Sequence, residues 1–274
     1  MSKLNDQLFV FSLEDALCGP QGAIAPSNAE MLQLLALRGG RYTVISDSPV
    51  QAVRAALDGL PAPGAPVVCS SGAMLYDLNT DHCLYQRQLA RPDAETMLWT
   101  LERAFPSLGL AVQICDGPFQ IIRANSYTEE YLRRRGFGGI LIQLENIPEN
   151  WLNAALFAEP KLLAEVEAFV AQKGLVGDFK LVRRGRSQLL LVPKGSAGTD
   201  ALRQLCTSAG AALQDVAALG GAAGDGDWLA LAGRSAATAD APADVKLAAD
   251  YVLVCTAGEG AAAEFLYQCM KQYE

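Results

Sequence analysis

Ser12, Glu14 and Asp15 follow a short apolar run, Leu8-Phe9-Val10-Phe11, and other polar groups stand in the same relation to apolar runs further along. Ser46-Asp47-Ser48 follows Tyr42-Thr43-Val44-Ile45, and Ser70-Ser71-Gly72 follows Val67-Val68-Cys69. A short apolar run bounded by polar residues reads as a buried parallel strand, and open α/β sheets bind ligands at the carboxyl ends of such strands. The chemistry on offer at that edge is of two kinds. Hydroxyls of Ser46 and Ser70, with the backbone N–H of Gly72, suit a small anionic or sugar-like ligand, although turn chemistry accounts for the same residues. The carboxylates of Glu14, Asp15 and Asp47 suit a hard cation. Ser12 is a poor nucleophile without a base to activate it, and the only histidine, His82, belongs to a turn elsewhere.

The elements that must position these groups alternate along the chain. A helix is expected over residues 28–38, with Ser27 and Glu30 in a capping-box pattern and Gly39-Gly40 ending it. A second helix follows over residues 50–57, and a hairpin joins residues 73–76 to 83–85 across the turn at 77–82. The middle of the chain changes character. Helices are expected at 92–105, 128–135 and 160–172, with strands at 110–114, 119–122, 140–144 and 153–157 and a hairpin pairing 179–183 with 188–192. Strand and helix alternation then returns, with a helix at 199–209, strands at 216–219 and 251–254, and helices at 228–232 and 260–272. The pattern is α/β: a doubly wound, Rossmann-like core with a parallel sheet, residues 1–84 and 187–274, interrupted by an inserted α+β domain at 85–186.

Composition narrows the field. The chain has 274 residues, 51% of them hydrophobic, and a net charge of −8, which argues against nucleic acid as a partner because phosphate backbones demand a basic surface. Arg133-Arg134-Arg135 and Arg183-Arg184-Gly185-Arg186 are local exceptions, read as a solvated helix end and a hairpin flank. No apolar stretch is long enough for a membrane span, so a cytoplasmic protein is expected. Seven cysteines are scattered without CxxC spacing and read as reduced core thiols.

The order of these segments resembles the haloacid dehalogenase (HAD) superfamily, in particular its Cof-type, sugar-phosphatase-like branch with a large α+β cap. In that branch the first strand ends in Asp-Leu-Asp-Gly-Thr-Leu, and Ser12-Leu13-Glu14-Asp15-Ala16-Leu17 fills the frame. A Thr-Gly-Arg after the second strand is met by Ser46-Asp47-Ser48, and a Ser-Asn-Gly-Ala by Ser70-Ser71-Gly72-Ala73. Pro193-Lys194-Gly195 and Gly198-Thr199 meet a Pro-Lys-Gly and a Lys-Gly that opens a helix. The Gly-Asp-x-x-Asn-Asp loop is met by Gly220-Gly221-Ala222-Ala223-Gly224-Asp225, and Val245 to Val252 meets a Val-Lys-x-x-Ala-Asp-Tyr-Val tail.

The resemblance implies an aspartate nucleophile, a carboxyl acid/base two residues later, a lysine and a magnesium ion. Here the nucleophile position is Ser12, the acid/base position Glu14 and the lysine position Gly198, with Lys194 the only nearby cation. Ser46 keeps the second-strand hydroxyl. Of the acidic loop only Asp225 remains in place, since Gly221 stands for the first aspartate, so Asp225 and Glu14 are the metal-ligand candidates. Losing mutually dependent groups together removes the catalytic unit. The expected protein is a phosphatase-like pseudoenzyme without a cofactor, retained for binding or assembly, that takes a small anionic, phosphorylated or sugar-like ligand between core and cap through Ser46, Ser70, Gly72 and Lys194. A divergent magnesium-dependent phosphohydrolase acting on a small phosphorylated metabolite, with Glu14 or Asp15 in a relocated role, is the alternative. A scaffold or homo-oligomer presenting Trp99, Phe105, Trp151 and Phe157 is a third.

Overall fold

All five residues of β1 (Leu8–Ser12) are buried, as expected of a strand covered on both faces. The computed structural model describes residues 4–19, 21–175 and 177–271. After β1 come a wide turn at Leu13–Leu17, α1 (Pro26–Leu37), β2 (Arg41–Ile45), α2 (Val50–Ala56), β3 (Val67–Cys69), β4 (Met74–Asp77) and β5 (His82–Gln86). The middle of the chain holds α3 (Arg91–Ala104), β6 (Gly109–Ile114), β7 (Phe119–Arg123), α4 (Ser126–Arg135), β8 (Gly139–Leu141), β9 (Trp151–Phe157), α5 (Pro160–Lys173), β10 (Phe179–Arg183) and β11 (Gln188–Pro193). The last stretch holds α6 (Thr199–Ala209), β12 (Val216–Gly220), α7 (Gly226–Leu229), β13 (Arg234–Ala237), α8 (Ala243–Ala248), β14 (Tyr251–Val252) and α9 (Ala261–Met270).

Two compact units result: Met1–Tyr85 with Gly198–Glu274, and Gln86–Ala197. In the first, the described residues form a sheet of order β14-β13-β12-β1-β2-β3-β4-β5. The pairings from β14 through β3 are parallel, and β4 turns back antiparallel on β3. Parallel pairing brings the carboxyl ends of β1, β2, β3, β12 and β13 to one edge, where the polar groups follow. Side-chain alternation in β1 feeds two cores. Phe9 and Phe11 both meet Phe265 of α9 edge to face at 6.3 Å, while Leu8 and Val10 join Leu202, Leu205, Trp228 and Val245 on the other face.

The second unit is a sheet of order β10-β11-β9-β6-β7-β8, antiparallel except between β7 and β8. Leu110, Val112, Ala154, Leu156, Leu189 and Leu191 face α3 and α5, and the alternate residues Ala111, Ala155, Phe157, Leu190 and Val192 pack with Tyr131 and Leu132 of α4. Both faces are therefore covered, which explains why β9 is buried at every position. Because β11 is hydrogen-bonded to β10 and β9 on its two sides, it lies in this unit and not in the first, where a boundary at residue 187 would place it.

Several expectations are corrected. The Ser27–Glu30 capping box does not form: α1 begins at Pro26, whose fixed φ suits the first helical position. The strand expected at 140–144 is only Gly139–Leu141, with a 3-10 turn at Leu144–Asn146. Strand β13 and helix α8 lie in the Ala- and Gly-rich stretch, where periodicity is weak. Trp151 and Phe157 are core residues, and Phe105 packs edge to face on Phe169 at 5.2 Å, so of the four aromatics only Trp99 is exposed. Arg184 is buried and not a solvated flank, while Arg183 pairs with Glu167 at 2.6 Å. Cys83 is exposed, unlike the buried Cys18, Cys69, Cys206 and Cys269. Among the described residues no helix is long and apolar enough to cross a membrane.

Candidate functional site

Ser12 closes β1 and is 5% exposed. The chain then enters the wide turn, closed by the Cys18 N–H donating to the Leu13 carbonyl at 2.8 Å. From this turn Glu14 reaches the loop after β2: its Oε1 accepts hydrogen bonds from the hydroxyls of Ser46 and Ser48, the second at 2.6 Å. The Ser46 hydroxyl oxygen in turn accepts the Ser48 N–H at 3.0 Å. The loop after β3 is tied to the same place, with Ser70 N–H donating to the Ser48 carbonyl at 2.9 Å and Ser71 N–H to the Ser46 carbonyl at 3.0 Å. Those two bonds hold Ser70, Ser71 and Gly72 in three successive positive-φ conformations, at 53°, 60° and 90°, costly for the two serines. The Ser71 hydroxyl is buried without a hydrogen-bond partner.

On the other side of β1, the loop after β12 is built around Asp225. Its Oδ2 accepts from Gly221 N–H at 3.0 Å and Ala222 N–H at 2.9 Å, and its Oδ1 from the Trp228 indole at 3.2 Å. The side chain is a clasp that closes the loop onto α7, and the residue is 2% exposed. Gly221 is wedged against the wide turn. A Cβ there would collide with the Asp15 carbonyl oxygen and stand 2.8 Å from the Thr238 hydroxyl, itself buried without a hydrogen-bond partner.

The structure gathers Ser12, Glu14, Ser46, Ser70, Gly72, Gly221 and Asp225 along one sheet edge. The Asp15 side chain, on the turn, is exposed. Lys194 belongs to the second unit, where it is exposed and its N–H donates to the Asp178 carbonyl at 3.2 Å. Gly198 stands just before α6 with φ 60° and ψ −120°, a conformation that only glycine adopts readily. His82 opens β5 at the far edge of the sheet from β1's neighbours. Cys69 lies near Glu14, and burial first and the Glu14 charge second push its thiol well above the usual range, so it stays protonated and is no thiolate nucleophile. Sequence reading missed Ser48 as a partner of Glu14, and Ser71 and Thr238 as buried hydroxyls. The Ser48 signal was its place two residues after Ser46, where the wide spacing of a loop lets both hydroxyls turn to one acceptor.

Magnesium demands oxygen ligands in near-octahedral convergence. Here Asp225 is spent on three N–H donors, Glu14 Oε1 on two hydroxyls, and Gly221 brings no side chain. Among the described residues no group of three or more His, Cys, Asp or Glu is placed to hold a metal ion. The side chains at this edge do not fit the ion.

The family model for haloacid dehalogenase-like hydrolases matches residues 9–266. The chain belongs to that family. No curated protein matches it significantly. Among solved structures, a haloacid dehalogenase-like hydrolase from Bacteroides thetaiotaomicron is 20% identical with a TM-score of 0.82, covering 96% of this chain and 99% of its own. A haloacid dehalogenase-like hydrolase from B. subtilis is 18% identical with a TM-score of 0.81, covering 95% and 99%. A sugar phosphatase of HAD subclass IIB is 16% identical with a TM-score of 0.79, covering 97% and 98%. These likenesses span both units, and the fold is that of the HAD family's Cof-type branch: a doubly wound core with an inserted α+β cap.

Proposed function

We propose that this HAD-family protein binds a small sugar-like or anionic ligand at the carboxyl edge of its larger sheet and does not hydrolyse it through an enzyme-bound phosphate. One observation carries the reading: at the end of β1, where the family's attacking carboxylate is expected, stands the alcohol of Ser12. A serine needs an adjacent base; the one histidine opens β5, the last strand of the sheet and four strands from β1, and Glu14 Oε1 is engaged with Ser46 and Ser48. The Ser71 hydroxyl, buried without a hydrogen-bond partner, is the group left to meet a ligand. None of the seven cysteines is in a disulfide, which supports a reducing, cytoplasmic setting.

A second reading is a divergent magnesium-dependent phosphohydrolase acting on a small phosphorylated metabolite, with Glu14 or Asp15 in a relocated role. Family membership over residues 9–266 and the likeness to a sugar phosphatase speak for it more than for a protein that only binds. The missing carboxylate and the committed Asp225 speak against it. A thermal-shift series separates binding from its absence, because a ligand selective for the folded state raises the melting temperature. Hexose phosphates or free hexoses at millimolar concentration are expected to raise it by a few degrees, and less so in a Ser71→Ala variant. No shift with any of them would remove the binding reading.

A further inference from the structure

We infer that the metal-binding end of this edge has been replaced by the protein's own main chain, so that restoring the lost side chains does not restore a metal site. The inference deepens the proposed function and rests on it. Two observations agree. At Gly221 the volume a side chain would need is filled by the Asp15 carbonyl of the wide turn, with the Asp15 carbonyl carbon 2.9 Å and the Thr238 hydroxyl 2.8 Å from the position a Cβ would take. That carbonyl is backbone and cannot rotate aside as a flexible side chain would. Asp225, the one carboxylate of the loop still in place, holds two backbone N–H groups and the Trp228 indole; pulling it toward a cation strands the buried indole and takes the acceptor from two part-buried amides.

The turn at Leu13–Leu17 thus fills the space that a metal-binding side chain on the loop at 220–225 would need. Asp225 holds that loop in shape through the Gly221 and Ala222 N–H groups and the Trp228 indole.

Two variants of the full chain test this. Gly221→Ala adds only the Cβ and is expected to lower the melting temperature by about 10 °C, on the scale of an overpacked backbone contact. Gly221→Asp adds the carboxylate as well, and Mn2+, read by the loss of its free electron-spin-resonance signal, is expected to bind it no more than two-fold tighter than the unmodified protein. If Gly221→Asp does not fold, the Gly221→Ala melting temperature decides alone. A Gly221→Ala melting temperature unchanged within 1 °C, or a ten-fold gain in Mn2+ affinity for Gly221→Asp, would overturn the inference while leaving the absence of turnover standing. Phosphate release by the unmodified protein would instead overturn the functional reading and leave the filled space at Gly221 intact.

Discussion

Asp225→Ala is expected to lose about 4 kcal/mol of stability, because one buried and two part-buried donors lose a charged acceptor and a hydrogen bond to a charged group contributes about 1.5–3 kcal/mol. The donors are Gly221 N–H, Ala222 N–H and the Trp228 indole, at 2.9 to 3.2 Å. For a protein of this size the melting temperature should fall by about 10 °C. Asp225→Asn should lose less, since the amide oxygen keeps part of the acceptance. The direction is diagnostic. A carboxylate held ready for a cation among other carboxylates is relieved of repulsion when removed, and its loss leaves stability unchanged or raises it. A stable Asp225→Ala protein, by chemical denaturation, would show that this residue is not the loop's clasp.

Asn28→Ala carries the second large effect. Asn28 sits near the start of α1 and is fully buried. Its Nδ2 donates to the carbonyls of Leu17 at 3.1 Å and Ala257 at 3.2 Å, and its Oδ1 accepts from Ala263 N–H at 2.9 Å. One amide therefore joins the end of the wide turn, the turn at Ala257–Glu259 and the first turn of α9. Truncation takes the partner from two buried carbonyls and a part-buried N–H, with an expected loss of about 3 kcal/mol. Because these bonds anchor the carboxyl end of the Leu13–Leu17 turn, hydrogen exchange at Cys18, whose N–H closes it, should speed up ahead of exchange in the β1 amides. Equal acceleration at both would mean that Asn28 supports the unit globally and not this turn.

The strands that carry the edge were legible because each is a short apolar run stopped by polar residues, and β1, β2, β3 and β12 stand where the sequence places them within a residue. The polar positions at their ends were legible for the same reason. What they do was not. Asp225 reads as a survivor of an acidic loop, yet its partners are an indole three residues on and two amides before it, which spacing does not announce. Gly221 reads as a loss of a carboxylate, and only the approach of the Asp15 carbonyl, 206 positions away in numbering, shows that the glycine fits a filled space. Asn28 is one of four polar residues in α1, with Ser27, Glu30 and Gln33, and its partners at 257 and 263 come near only when α9 packs on α1. Strand β13 and helix α8 escaped because alanine and glycine carry too little contrast to show a period. The buried Trp151 and Phe157 looked like patch candidates since an aromatic in a strand gives no sign of which face is covered by a helix.

The most direct test of the account is a single reaction: the purified full chain with magnesium and a generic aryl phosphate, followed both for phosphate release and for a phosphorylated acidic side chain on the protein. The account predicts release at the rate of the buffer alone and no phosphoryl group on Glu14, Asp15 or Asp225. Turnover that disappears in Glu14→Gln, or a phosphate trapped on any of those three carboxylates, would contradict it.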